Sequence, residues 1–413
     1  MAFYILRMTK KEYFIRILIL GFLTAVGPFS IDMYLPSFGA IATDLHSTSS
    51  EVGLSLSSFF IGLAFGQLLY GPLLDRFGRL KPLYIGLAVY VLASFGCMAA
   101  YSVQMLIWLR FLQAIGSCAA AVASVAMVRD LFPVEDNAKV FSLLMLVVGL
   151  SPLLAPLAGS FITLVLGWQY IFATLAGITV LVMIAVFFKL PESYKPDTSI
   201  SLKPLPIILN FIDVIKVPQF YTYALTGAIA FSGLFAYVSG APLVLMGIYH
   251  VNKNMFSVIF ASMALGFVGF SQVNSMAMRY YKSEQLLKAA LMVQTVSGVI
   301  FVLVNGWLGL PGNLFFIFIF LSCLGFISSN ASALTLAPFS KNAGSASALM
   351  GFFQLGIGAF TSFCISILND NTPLPLAAIM GATSIIALGI LLIGRRMIQH
   401  KVEVSDDAAV VMH

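Results

Sequence analysis

The chain has 413 residues, 60% of them hydrophobic and only 9% charged, against about 25% charged in a typical soluble chain. Too few ionised groups remain to cover a water-exposed surface, which excludes a soluble enzyme or binding domain, a disordered chain, and a collagen-like or disulfide-rich secreted scaffold. The formal net charge of +6 takes its meaning from where the bases lie along the chain.

A hydrocarbon layer of ~30 Å is crossed by about 20 mostly apolar helical residues. Twelve such runs follow one another at 17–38, 53–74, 83–101, 106–128, 140–166, 170–190, 221–246, 256–278, 286–308, 314–338, 345–368 and 376–394. Continuous apolar runs lack the alternation of a barrel strand, so the predicted fold class is all-α, an integral membrane protein with 12 transmembrane helices. Arg7, Lys10, Lys11 and Arg16 precede the first run in the manner of a signal peptide. No small-residue cleavage site follows and Asp32 interrupts the sequel, so the segment reads as an uncleaved first span.

Placing the N-terminus inside puts 20 of the 22 Lys and Arg residues in inner connections; Lys253 faces outside and Arg110 lies within a span. Both termini are therefore predicted to be cytoplasmic. Cys97, Cys118, Cys323 and Cys364 sit in apolar runs and read as small core residues.

Residues 191–219 contain five prolines, Pro191, Pro196, Pro204, Pro206 and Pro218, and read as a cytoplasmic linker. It separates an N-terminal six-helix bundle (1–190) from a C-terminal one (220–396), with a cytoplasmic tail at 397–413. Residues 205–215 are apolar enough to lie on the membrane surface as an amphipathic helix. A shift of 205 residues aligns LFPVEDNAKVFSLLM (131–145) with LAPFSKNAGSASALM (336–350) at seven of 15 positions, and pairs Phe65 with Phe270 and Gln67 with Gln272. This favours a six-plus-six duplication, an arrangement in which two bundles rock about a central cavity to give alternating access.

Asp32, in GPFSIDMYLP (27–36), is the one acid placed within a span. Insertion scales put the cost of a charge there at about 2.5–3.5 kcal/mol, so such residues usually have a functional reason. Desolvation raises a carboxyl pKa and a nearby cation lowers it, so a cycle that changes hydration could make Asp32 take up and release a proton. The bland alternative is a boundary carboxylate at a helix end. Pro28 and Pro36 bracket it and should distort the helix, freeing backbone groups.

Arg110, in LIWLRFLQAIG (106–116), lies at a similar depth to Asp32, which suggests that the two face one cavity and interact directly or through water. The alternative is an arginine that binds backbone carbonyls and braces the bundle. Under the 205-residue shift Asp32 falls on Tyr237, so proton handling is expected in the first half only. Phe231, Phe235 and Tyr237 are candidates for the substrate side, against a packing or lipid-facing role. Gln67, Gln113, Gln272, Asn330 and Gln354 are cavity candidates, or else interhelical hydrogen bonds. The loop GPLLDRFGRLKP (71–82) supplies glycines for a tight turn and a basic inner surface.

The string Gly71-x-Leu73-x-Asp75-Arg76-x-Gly78-Arg79-x-Lys81 resembles the helix 2–3 signature, motif A, of the major facilitator superfamily. Arg110-x-x-Gln113-x-x-Gly116 resembles its motif B, and Gly149-Leu-Ser-Pro152 with Ala155-Pro156 and Gly159 resembles motif C of its antiporters. IDMYLP (31–36), Gly167-Trp168 and the string NAGSASA from Asn342 resemble the bicyclomycin-resistance (Bcr/CflA) drug-efflux branch. The resemblance implies proton-driven export of small amphipathic drugs or metabolites across the bacterial inner membrane. It implies Asp32 as the proton-coupling site with Arg110 as its partner. It also implies a cytoplasmic gate of Gly71, Asp75, Arg76, Gly78, Arg79 and Arg129 closing on the start of helix 11. Thr24 stands where some related exporters carry a second carboxylate.

The expected partners are a small amphipathic substrate, protons and membrane lipid, with no nucleic acid, cofactor or metal, and the chain is expected to act as a monomer. A membrane enzyme is the rival class. His46, His250, His400 and His413 all lie outside the spans, and no H-E-x-x-H or G-x-S-x-G string occurs, so the reading is not an enzyme. A proton-coupled importer or a uniporter is the alternative, because alternating access fixes no direction.

Overall fold

A computed structural model of the protein describes residues 9–197, 204–307, 309–339, 343–398 and 402, with the side chains of Val134, Glu135, Ala138, Pro204 and Ile207 left aside. Arg7, Lys203, Lys341 and Lys401, used above for orientation, lie outside the described residues, as do Asn342, His400 and His413. Among the described residues, twelve helices are long and apolar enough to cross a membrane.

The first half comprises α1 (Lys10–Asp32), the short α2 (Phe38–Asp44), α3 (Ser49–Phe77), α4 (Leu80–Met98), α5 (Val103–Leu131), α6 (Val134–Val165) and α7 (Gln169–Lys189). The connecting helix α8 (Pro204–Ile215) follows. The second half comprises α9 (Pro218–Ala241), α10 (Lys253–Ala277), α11 (Ser283–Val304), α12 (Gly309–Leu336), α13 (Ala343–Ile367) and α14 (Leu374–Gly394). Helix starts follow local chemistry: Thr9 with Glu12 and Thr48 with Glu51 form reciprocal capping boxes, and Ser102 and Asn252 accept from the amides of Met105 and Met255.

The first span is not one helix to residue 38. It stops at Asp32 and passes through a 3₁₀ turn (Leu35–Ser37) that Pro36 enforces. Pro28 is accommodated inside α1. The seventh span ends in a π-helical turn, Pro242–Ile248.

The helix expected within the linker is present as α8. It tucks Val214 against Phe220, Ala224, Ala346 and Leu349 and leaves Leu205, Leu209 and Ile212 exposed. The start of the linker is not a free tether. Glu192 accepts from the backbone N–H groups of Arg79 (2.7 Å) and Leu80 (3.0 Å), and Ser193 donates to Asp130 (2.9 Å). The Tyr194 ring lies 4.3 Å from the Arg79 guanidinium.

The two bundles meet along α3 with α13 and α6 with α10. Their hydrogen bonds to each other among the described residues lie toward the end away from the basic loops. Ser57 and Ser362 share a bond of 2.8 Å, Asn369 donates to Ser50 (2.8 Å), and the Ser160 and Ser257 hydroxyls are 3.5 Å apart. Ser239 of α9 joins the first pair through Ser362 (2.6 Å), and Phe60 of α3 packs edge-on to Phe235 (4.6 Å). This layer closes one end of the seam. Beyond it a vestibule is bounded by Pro36 and Thr43 on one side and Met246 and Lys253 on the other.

The layer makes a test by cross-linking direct. With Ser57→Cys and Ser362→Cys together, the sulfurs should fall within bonding range, so oxidation should join α3 to α13 and stop transport, and a reductant should restore it. An oxidised, cross-linked protein that still transports at the full rate would show that this layer does not part.

Candidate functional site

Asp32 is the last residue of α1 and is 6% exposed. Its carboxylate accepts one hydrogen bond, from the Ser151 hydroxyl of α6 at 2.9 Å. The approach of α6 that allows this bond depends on Gly159: a Cβ there would fall on the Met33 carbonyl. Across the seam, the buried Tyr237 of α9 lies within electrostatic reach of Asp32, and its hydroxyl has no hydrogen-bond partner among the described residues. The Tyr237 ring stacks on Phe260 of α10, with centroids 5.6 Å apart. Asp32 thus sits where α1 meets α6, beside the α6–α10 contact between the bundles and within electrostatic reach of Tyr237.

Arg110 is fully buried, but its partner is not Asp32. It donates to the Gln113 side chain (2.5 Å) and to the Ser30 carbonyl (3.1 Å), and its guanidinium lies 4.1 Å from the Phe59 ring and 4.8 Å from Tyr34. The Ser30 carbonyl is free for this because the chain tightens after Asp32: the Tyr34 amide bonds to Ile31 instead of continuing the α-helical pattern. Gln113 in turn donates to Ser94 (2.7 Å). The expected Asp32–Arg110 pairing therefore gives way, in this conformation, to an arginine that braces α1, α4 and α5.

Arg110→Lys keeps the charge but loses the planar fork and the stacking, which are worth about 2 kcal/mol when desolvated. The variant should melt several degrees lower in detergent while the pH midpoint of transport stays at its wild-type value. A moved midpoint with unchanged melting would restore the pairing.

The other candidates separate. Phe231 and Gln354 line a cleft with Tyr223, Gly227, Ser328 and Ser332 of α9 and α12, in the half of the second bundle nearer the basic loops. Phe235 and Tyr237 belong to the sealed layer and its flank. Asn330 is packed inside, donating to Asn274 (2.7 Å) and to the Phe326 carbonyl (2.8 Å), and Gln113 serves Arg110; neither lines the cleft. Gln67 is half-buried beside Gly351 of α13, and Gln272 is exposed. Thr24 bonds the Leu20 carbonyl (2.9 Å) and Ser124 (2.8 Å).

At the basic loops, Asp75 is paired with Arg79 (2.7 Å) and not with Arg129, which is exposed; Arg79 also bonds Asp130 (2.8 Å). Burial lowers the proton affinity of the Arg79 guanidinium, but the hydrogen bonds and charges of Asp130 and Asp75 outweigh it and hold its pKa above the ordinary arginine value. Gly78 has φ +83°, a left-handed conformation that suits glycine, and a Cβ there would meet the Glu192 carboxylate at 2.8 Å. Gly71 has open space beside it. Arg76 lies beside the Phe77 ring at 5.8 Å. The eleventh span is α13, which begins at Ala343, and no contact of Asp75 or Arg129 with its first turn is among the described hydrogen bonds and ion pairs; residues 340–342, just before it, lie outside the described residues.

Residues 20–363 match the Major Facilitator Superfamily model, and the chain belongs to that superfamily. It is therefore a multi-pass membrane transporter that carries a solute by alternating access between two six-helix bundles. Among its relatives, the "Uncharacterized MFS-type transporter YdgK" of Bacillus subtilis (strain 168) is 34% identical over 381 residues, covering 92% of this chain and 94% of that one. The "Bicyclomycin resistance protein homolog" of Haemophilus influenzae (strain ATCC 51907 / DSM 11121 / KW20 / Rd) is 34% identical over 384 residues, covering 92% and 96%. A solved structure of a bacterial homolog to the human lysosomal transporter Spinster, in an inward-facing and occupied conformation, superposes with a TM-score of 0.74 at 12% identity, covering 94% and 98%.

Proposed function

We propose that the protein is a proton-driven exporter of small amphipathic compounds in the bicyclomycin-resistance branch, working across the bacterial inner membrane with the basic loops and both termini cytoplasmic. The observation that carries the proposal is Asp32: a carboxyl shut away near the seam of the two bundles, held by one hydroxyl and, among the described residues, touched by no cation. Such a group is stable as the neutral acid while it is enclosed and as the anion once water reaches it, so its protonation follows the conformation.

In the conformation described here the seam is closed at the end facing away from the basic loops. Once cytoplasmic water reaches the seam by the cleft of Phe231 and Gln354, substrate enters and Asp32 gives its proton to the inside. The layer of Ser57, Ser239, Ser362, Phe60 and Phe235 then parts, substrate leaves, and a proton from outside reloads the carboxyl. Ser151 holds the carboxyl in place, and Tyr237 places a polar group of the second bundle beside it. The relative named for bicyclomycin resistance supports the direction and the substrate class.

The test is bicyclomycin accumulation in cells with and without the gene. Lower accumulation with the gene, cancelled by a protonophore, is expected. Higher accumulation with the gene, or indifference to the protonophore, would refute proton-driven export.

A further inference from the structure

The end of the chain returns to the second bundle. After α14 the backbone makes a 3₁₀ turn, Arg395–Met397, in which Arg395 pairs with Glu284 of α11 and the Met397 sulfur accepts from the Tyr221 hydroxyl (3.8 Å). Ile398 packs on the core of the bundle. Val402 then lies against Gln219, in the first turn of α9.

The contact has the form of main-chain recognition. The Val402 N–H donates to Gln219 Oε1 (2.9 Å), and Gln219 Nε2 donates to the Val402 carbonyl (3.0 Å). One side-chain amide thus meets both polar groups of a single residue, as a neighbouring β-strand would. Val402 is 44% exposed, so its side chain is not what is held, whereas Gln219 is 2% exposed. The Gln219 nitrogen also donates to the Leu334 carbonyl at the end of α12 (3.0 Å). That carbonyl is available because the residue four positions on is Pro338, which has no N–H to offer it. Among the described residues the Gln219 oxygen has no donor other than Val402, and an amide oxygen left unpaired in so enclosed a place is unfavourable.

We propose that the rim formed by Gln219 and Leu334 is a docking site for an extended peptide backbone, which this chain fills with its own C-terminal tail at Val402. The site reads main chain, so its occupancy depends on no particular side chain at that position. It stands at the edge of the cleft described above: Tyr223, one helical turn after Gln219, and Thr335, next to Leu334, both line that cleft. The docked tail and the end of α12 share one amide nitrogen of α9, so release of the tail frees a polar group at the cleft's cytoplasmic edge. The docking requires no role for Asp32.

Trypsin reads this docking directly, because it cuts the bond between Lys401 and Val402, whose N–H is the one held by Gln219. The protease must draw that bond into its own cleft, so the rate of cutting follows the undocked fraction. The full-length protein in lipid nanodiscs would be digested with limiting trypsin, and cleavage after Lys401 and after Lys282 followed by mass spectrometry. Gln219→Leu should speed cleavage after Lys401 about tenfold, the weight of two ordinary hydrogen bonds. Cleavage after Lys282, between α10 and α11, should keep its wild-type rate and so report an intact bundle. Gln219→Asn retains an amide but shortens its reach by one methylene; it should release the tail likewise, and it decides the matter if the Leu variant unfolds. Val402→Ala should stay within about twofold of the wild type, since the main chain carries the contact. Equal cleavage after Lys401 in the wild type and the folded Gln219 variants, or a Val402→Ala protein cut as readily as Gln219→Leu, would overturn the proposal.

Discussion

Asp32→Asn is expected to reduce drug export to the level of cells lacking the gene while leaving the protein folded. The amide has the shape of the carboxyl, and its oxygen can still accept the Ser151 hydrogen bond, so neither the packing nor the bond at 2.9 Å need be lost. What disappears is the exchangeable proton. Thermal melting in detergent should therefore match the wild type while the gradient-driven flux vanishes. Asp32→Glu keeps the proton but lengthens the side chain in a packed site, and should retain a fraction of the activity. Full export by the Asn variant, at wild-type dependence on the pH gradient, would remove Asp32 from the coupling step.

The second large effect is expected at Gly159. A methyl group there collides with the Met33 carbonyl, and neither backbone can yield without separating α1 from α6. Overpacking of this kind costs about 1–3 kcal/mol, and here the displacement falls on the contact that brings Ser151 to Asp32. Gly159→Ala should thus lower thermal stability and abolish transport together. Gly149→Ala on the same helix is the control: its nearest neighbour is a Val268 methyl at 3.7 Å, an ordinary contact, so stability and transport should persist. Equal behaviour of the two variants, measured by melting and by drug accumulation, would mean that the α1–α6 approach does not govern the site.

The twelve spans were legible because bilayer thickness imposes a length that composition displays directly, and a duplication was suggested by a proline, an asparagine, a serine and a glutamine that recur at one offset. Asp32 stood out for the same reason, as an acid where acids are rare. Less legible were contacts that depend on rotation about the helix axis. Arg110 matches Asp32 in depth, yet depth says nothing of facing, and the arginine turns toward Gln113 and the Ser30 carbonyl. That carbonyl is left free by the tightening of the chain between Asp32 and Leu35 ahead of Pro36, a distortion the sequence suggested but whose beneficiary it did not.

Ser151 was visible in the GLSP string, but its bond to Asp32 depends on the close approach at Gly159, a property of two helices together. The serines that tie α3, α9 and α13 into the closed layer had no signal of their own in the sequence. Small hydroxyl side chains are common in membrane helices and usually bond within them. The polar candidates divided on similar grounds: Gln354 reaches the cleft, whereas Asn330 is consumed by Asn274.

Infrared difference spectroscopy on the purified protein, stepped through pH without any substrate, tests the central claim most directly, because it reads the carboxyl proton itself. A protonated-carboxyl band that titrates in the wild type and is missing from the Asp32→Asn protein is the predicted result. A titrating band that is the same in both proteins, or none in the wild type, would contradict a proton-carrying Asp32.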